Sequence, residues 1–306
     1  MRVCIVGCGA VGSLFAANLA QLDDVEVWAY DLAREHVEAI NSHGLRLSGA
    51  GDLVGRVRAT TEAGELPQCE FGIVATKAMH TEPAIAATAA AFADGCVCSV
   101  QNGLGNEETI ARHVSRVIRG TTFPAGRLVE PGHVQWEVKG ETTIGPFEPS
   151  PAPREEVERL ADACTRAGLP ASAAADARGP QWRKVIFNAA TNPIGALTGL
   201  THGRVCEDPA LRRLVSVLVD EGKAVAAAQG IELDADPEEL IDHAARPEVA
   251  YDHKASMLQD VEGRRQTEID YLNGGIARFG REHGVPTPLN DAIVALVKGL
   301  EHSWST

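Results

Sequence analysis

Six residues near the start of the chain, Gly7-Cys8-Gly9-Ala10-Val11-Gly12, leave few folds open because of what flanks them. The apolar run 2–6 reads as a strand and residues 13–22 carry a helical pattern. In a strand, glycine turn and helix read in that order, Gly7 permits the tight turn and Gly9 lets a pyrophosphate approach the backbone. Gly12 allows close helix packing, and the helix N-terminus offers N–H groups to phosphates. Cys8, Ala10 and Val11 complete the loop. The run 25–30 reads as a second strand and ends in Asp31, close to the ~20-residue offset of a ribose-binding acid. The combination predicts a dinucleotide-binding domain of α/β class.

Asp31 also bears on which dinucleotide binds. A carboxylate there accepts the adenosine ribose hydroxyls and repels a 2′-phosphate, which favours NAD(H) over NADP(H). Arg34, three residues on, either turns toward a 2′-phosphate or sits on the exposed face of a helix over 33–43. Further strands are expected at 71–75 and 96–100, with a helix over 79–92 between them. Each strand ends in polar residues at the edge of the sheet where ligands lie in open α/β folds: Lys77 as a cofactor contact or a solvated loop lysine, Asn102 as a turn residue or a group for nicotinamide or substrate. Alternating runs at 133–138 and 142–144, joined through Lys139-Gly140, predict an antiparallel hairpin added to the sheet.

The charge balance narrows the partners. A net charge of −14 without any Lys/Arg cluster argues against nucleic acid and against an anionic membrane surface. No apolar run reaches the ~18 residues of a membrane span, and the first residues lead into a strand and not a signal peptide. The seven cysteines are odd in number and lack metal spacing, so reduced buried thiols in a cytoplasmic protein are expected, Cys96 and Cys98 on one face of a strand. His80 and His113 have no partner at metal spacing, and no metal site is expected.

After Pro180 strand-like runs give way to helices, predicted over 182–192, 209–229, 237–245, 270–283 and 290–302, the second capped by Asp208 with Pro209 at its first position. The expected organisation is a Rossmann-like domain over 1–175 and an all-α domain over 176–306, the boundary falling near 175–180. Within the helix 182–192, Lys184, Asn188 and Asn192 stand four residues apart and form one polar row among Val185, Ile186, Phe187 and Ala189. An ammonium and two amides on an otherwise apolar helix need partners or a purpose, as caps of neighbouring turns or as a small-molecule site. Glu268 could pair Lys184 across a cleft between the domains or stand exposed at a helix start; Ser256 is a helix N-cap or a hydroxyl for a substrate carboxylate. Amphipathic C-terminal helices suit either a homodimer face or an internal core.

The chain resembles the ketopantoate reductase family nearly end to end. The match runs through Gly7-x-Gly9-x-x-Gly12, Lys77-Ala78, Gln101-Asn102-Gly103, Gly120-Thr121-Thr122, Pro131-Gly132 and Ile144-Gly145-Pro146. It continues in Trp182-x-Lys184 with Asn188 and Asn192-Pro193, Ser256-Met257-x-Gln259-Asp260, and Thr267-Glu268-Ile269-Asp270 with Asn273-Gly274. The resemblance implies Lys184 as general acid and Asn188, Asn192 and Ser256 as substrate-binding. It implies that Glu268 contacts substrate or the lysine, that Asn102 faces nicotinamide and substrate, and that Lys77 contacts the cofactor. Glu268 is counted with both the catalytic and the cofactor-binding residues. The implied reaction is nicotinamide-dependent reduction of a 2-keto acid to a 2-hydroxy acid, in first place 2-dehydropantoate to pantoate. The chain departs from better-known members at Asp31, where they carry arginine and use NADP(H), at His80, where many have Gln, and at Thr122-Phe123-Pro124. Two rival readings stand beside it: an NAD-dependent dehydrogenase of another branched or aryl D-2-hydroxy acid, and a sensor that binds NAD(H) without turnover.

Overall fold

The computed structural model describes residues 1–305, which form two compact units. The first comprises Met1–Gln101 and Asn106–Ala177, the second Asn102–Gly105 and Arg178–Thr306, so the chain enters the second unit for four residues before returning to the first.

In the first unit the chain runs β1 (Arg2–Val6), α1 (Ala10–Leu19), β2 (Glu26–Tyr30), α2 (Arg34–His43), β3 (Leu45–Gly49), β4 (Leu53–Gly55), β5 (Arg58–Thr60), β6 (Phe71–Val74), α3 (Thr81–Thr88), β7 (Cys96–Ser99), α4 (Asn106–Ile110), β8 (Val117–Thr122), β9 (Ala125–Glu130), β10 (His133–Val138), β11 (Thr142–Pro146), α5 (Arg154–Arg166) and β12 (Ala171–Ala173). The main sheet has the order β12-β11-β8-β7-β6-β1-β2-β5, and the six strands from β8 to β5 are parallel. The strand order reverses between β1 and β6, and a crevice outside the carboxyl ends of such strands is where open α/β sheets take ligands. Alternation along β1 sends Val3 and Ile5 to one core and Cys4 and Val6 to another, so both faces of the sheet are covered. Cys96 and Cys98 share a face, as their spacing requires, and all seven cysteines are free. Burial pushes the thiols of Cys8 and Cys164 up to about 12, which keeps them unreactive.

Two local expectations are corrected. The runs 133–138 and 142–144 do not pair as a hairpin: β10 joins a separate four-stranded sheet, β4-β3-β10-β9, while β11 pairs antiparallel with β8 in the main sheet. Each strand is paired on both edges elsewhere, β10 between β3 and β9 and β11 between β8 and β12, and Lys139-Gly140 becomes a crossing between sheets; a Cβ on Gly140 would stand 2.6 Å from that of Phe123. The Ala-rich stretch 79–92 is not one helix. It breaks into 3-10 turns at Ala78–His80 and Ala89–Phe92 around the eight residues of α3.

Among the described residues the second unit contains no strand: α6 (Arg178–Thr198), α7 (His202–Glu207), α8 (Pro209–Ala228), α9 (Pro237–Ala244), α10 (Ser256–Glu262), α11 (Asn273–Glu282) and α12 (Pro288–His302). Helix α6 is its axis, packed by α7, α8, α9, α10 and α12. Gly222 makes the α8 contact close, since a Cβ there would stand 2.8 Å from Ile186 Cγ1. Asp208 caps α8, accepting from the backbone N–H groups of Ala210 and Leu211, an arrangement typically contributing about 1 kcal/mol. Helix α6 outruns its predicted span at both ends and passes straight through Pro193. Helix α11 starts at Asn273, three residues later than expected, since the backbone just before it forms a turn in which the Tyr271 and Leu272 N–H groups both donate to the Glu268 carbonyl. Among the described residues no helix is long and apolar enough to cross a membrane.

Candidate active site

The glycine loop is a site made of backbone. Gly7 sits at φ +88°, where an added Cβ would lie 2.5 Å from Thr76 Cγ2, and a Cβ on Gly12 would lie 2.1 Å from the carbonyl oxygen of Gly7. Both glycines are therefore demanded by packing. Gly9 differs: a Cβ there meets nothing within 4 Å. It is the N-cap of α1, whose first turn has neither a capping side chain nor an acid, so the N–H groups following it suit an anion. This is a cradle that a side chain would fill, and it fits the diphosphate of a dinucleotide.

Three side chains hold the loop. Asp31, at the end of β2, accepts from the Cys8 N–H through Oδ2 and from the Ala33 N–H through Oδ1, each at 2.8 Å. The Cys8 carbonyl accepts from Ser13 Oγ and lies 2.8 Å from Nε2 of buried His36. Because His36 Nδ1 accepts from the Gly132 N–H, Nε2 must carry the proton and donate to Cys8. Gln101 Nε2 donates to both the carbonyl and the hydroxyl of Thr76 and to Thr81 Oγ1, tying together the ends of β6 and β7 beside Lys77. Lys77 itself is half-buried at the start of the Ala78–His80 turn. The sequence reading passes over His36 and names Gln101 only as part of Gln101-Asn102-Gly103, without a role. No local spacing betrays His36, whose partners lie 28 and 96 residues away.

The second unit gathers side chains around Lys184. Its Nζ donates to Asn102 Oδ1 at 3.0 Å. Asn102 reaches it because residues 102–105 dock within the second unit: the Leu104 N–H donates to the Tyr271 carbonyl, and Gly103, at φ +88°, leaves no room for a Cβ against Tyr271. Solvent still touches Lys184, but protein packs densely around its ammonium. That burial pushes the pKa down to about 8, against the opposing pull of the Glu268 carboxylate. Glu268 is buried, and it belongs to the same unit as Lys184, so the pair is not formed across a division between domains. Glu301 of α12 supports this segment, its Oε1 accepting from both the N–H and the hydroxyl of Thr267.

Asn188 and Asn192 lie on α6 one and two turns beyond Lys184 and are both buried. Ser256 is the first residue of α10, exposed, with Ala255 as the N-cap, so it caps nothing; α10 packs against α6. His80 is exposed, and His113 bonds Glu82. Among the described residues no group of three or more His, Cys, Asp or Glu is placed to hold a metal ion.

A buried amine whose proton affinity is reduced, beside an amide, a carboxylate and two further amides, can donate a proton to an oxygen and hold a polar substrate. Comparison with known proteins bears on what that substrate is. Residues 3–149 match the family model described as ketopantoate reductase PanE/ApbA, and residues 176–301 match the model of its C-terminal part. The chain is 36% identical to 2-dehydropantoate 2-reductase of Pyrococcus horikoshii and 35% identical to that of Archaeoglobus fulgidus, each over 98% of both chains. Among solved structures it is similar to a PanE/ApbA family ketopantoate reductase from Ralstonia eutropha, at TM-score 0.89 and 31% identity. It is also similar to a D-mandelate dehydrogenase holding NADH and anilino(oxo)acetate, at TM-score 0.90 and 29% identity; both likenesses cover 100% of each chain.

Proposed function

Since the chain belongs to the ketopantoate reductase family, we propose that it reduces a 2-keto acid to the 2-hydroxy acid, with 2-dehydropantoate as substrate, pantoate as product and Lys184 as general acid. The observation that carries the reading is the buried Lys184 ammonium bonded to Asn102, with the Glu268 carboxylate acting on it.

Gly7, Cys8, Gly9, Ala10, Val11 and Gly12 would hold the dinucleotide diphosphate, Asp31 its adenosine ribose, and Lys77 and Asn102 would lie toward the nicotinamide. When bound, the reduced nicotinamide supplies hydride to the carbonyl carbon. The protein's part is the proton. Lys184 protonates the carbonyl oxygen as negative charge develops there, so no free alkoxide accumulates. Desolvation weakens its hold on the proton, and Glu268 keeps a large protonated fraction near neutral pH. Asn102 fixes the direction of the ammonium. Asn188 and Asn192 would hold the substrate's hydroxyl or carboxylate within reach of the same lysine, and Ser256 would add a hydroxyl from α10.

NAD(H) is the cofactor this reading favours. Asp31 presents a carboxylate whose two oxygens are already oriented by backbone N–H groups, and a 2′-phosphate beside it would be repelled. Arg34 begins α2, exposed. The free, mostly buried cysteines suit a reducing cytoplasm. A second reading, oxidation of an aryl or branched D-2-hydroxy acid, is favoured by the likeness to D-mandelate dehydrogenase. Rates on 2-dehydropantoate and phenylglyoxylate, each with NADH and with NADPH, decide among these. The reading expects the highest kcat/KM for 2-dehydropantoate with NADH; preference for the aryl keto acid overturns the substrate, and no turnover of either overturns the enzyme.

A further inference from the structure

Helix α6 carries Lys184, Asn188 and Asn192 and then runs through Pro193. A proline in a helix has no N–H to give to the carbonyl four residues back, and its ring crowds that carbonyl. Here that carbonyl belongs to Ala189, between the two asparagines, on a fully buried turn. A buried carbonyl stripped of its partner is strongly disfavoured, so something must replace the missing donor.

The replacement is Asn273. Its Nδ2 donates to the Ala189 carbonyl at 2.9 Å, from the first residue of α11, 84 positions away. The orientation of the Asn273 amide is itself dictated. Glu221 of α8 accepts from Asn290 Nδ2 at 2.6 Å and from the backbone N–H groups of Leu289 and Asn290. With its nitrogen committed to that carboxylate, Asn290 can turn only its oxygen to Asn273, and it accepts from Asn273 Nδ2 at 3.0 Å. Asn273 therefore faces two acceptors and must present its NH2 to both, while its Oδ1 is buried without a partner. Asn273 and Asn290 are both 0% exposed. A side chain that leaves its own oxygen bare to supply two donors is held there by what those donors do.

We infer that Asn273 is a positioning residue for catalysis: through the Ala189 carbonyl that Pro193 leaves unpaired, it fixes the turn of α6 that sets Asn188 and Asn192 relative to Lys184. Glu221 and Asn290 set its polarity. The inference rests on the reading of those α6 residues as the substrate-holding row.

The test uses the proline itself. Asn273→Ala removes the donor, and Pro193→Ala returns a backbone N–H to the same carbonyl, so the second change repairs the first. In the whole enzyme with 2-dehydropantoate, Asn273→Ala raises KM about tenfold with a smaller fall in kcat and leaves the dissociation constant for NADH unchanged. The Asn273→Ala, Pro193→Ala double variant returns KM to within about threefold of the wild type, a non-additivity that independent structural damage cannot give. If the single variant does not fold, the double variant alone yields soluble, active enzyme. An unaltered KM in Asn273→Ala, a double variant no better than the single, or insolubility of both overturns the inference. A wild-type chain that reduces no 2-keto acid sinks the functional reading as well, which tells the two failures apart.

Discussion

The glycine loop of the first unit and the Lys184 helix of the second are built on opposite principles. The loop offers backbone: its binding groups are the N–H groups after Gly9, its specificity comes from where side chains are missing, and its one acid lies 24 residues on at Asp31. The lysine helix offers side chains, and it draws their support from residues 102, 268 and 273, which lie 82, 84 and 89 positions from Lys184. A backbone site is local, so a short motif specifies it. A side-chain site needs long-range packing to bring its partners in, and packing leaves little trace in spacing.

Breaking the lysine side should cost most. Lys184→Met is expected to lower kcat by about a thousandfold or more while NADH binding is retained, as fluorescence titration and steady-state rates would register. The same change carries a stability signature. Folding lowers the pKa of Lys184 from its ordinary value of 10.5 to about 8, so below pH 8 the folded chain holds a desolvated charge that the unfolded chain keeps in water. The penalty is fully present below pH 8 and fades as pH rises toward 10.5, where the folded lysine is neutral and the unfolded one still charged. Lys184→Met should therefore raise Tm at pH 7 and raise it less at pH 9.5. A Tm gain that grows with pH contradicts the assignment of burial as the cause.

Glu268→Gln sharpens the contrast on the same side. Its charge raises the lysine's pKa, so removing it moves the basic limb of the reduction rate below pH 8, and kcat/KM at pH 7.5 is expected to fall by about a hundredfold. A profile with an unmoved limb would show that Glu268 acts only by contact.

These differences explain what could be read beforehand. The parallel sheet, the glycine loop and the change to helices after residue 180 follow from periods of two and 3.6 residues and from glycine spacing, and all are local. The polar row of α6 was legible for the same reason. Its supports were not. Gln101-Asn102-Gly103 reads as a turn at a strand end, yet the positive φ of Gly103 lets Asn102 leave the sheet's unit and bond Lys184 in the other. Pro193 reads as a helix stop, yet α6 continues past it, and the carbonyl that the proline leaves unpaired accepts from Asn273, 84 positions away. The crossing of β10 into a second sheet went unread because Lys139-Gly140 has the composition of a hairpin turn, and only the pairing partners distinguish the two.

The loop side is tested by glycine. Gly12→Ala pushes a methyl group to 2.1 Å from the Gly7 carbonyl, so the loop and α1 must shift, with loss of stability and of binding together. Gly9→Ala places its methyl in open space, so Tm should stay near that of the wild type while the dissociation constant for NADH rises by roughly thirtyfold. If Gly9→Ala binds NADH normally, the diphosphate does not lie against that backbone, and the division into packing and ligand glycines fails.

The smallest effect expected is at Asp31, and it tests whether the one acid at the loop acts by its charge. Asp31→Asn keeps an oxygen to accept from the Cys8 N–H, gives up the bond from the Ala33 N–H, and removes the charge that opposes a 2′-phosphate. The ratio of kcat/KM with NADH to that with NADPH is expected to fall about tenfold, most of it through better use of NADPH, because one unit charge screened by solvent is worth on the order of 1 kcal/mol at such distances. Raising the salt concentration should shrink the wild-type ratio in the same direction and leave the variant nearly unaffected. A ratio that falls through poorer use of NADH alone would instead assign Asp31 to the loop's architecture, making it one more backbone support beside His36 and Ser13.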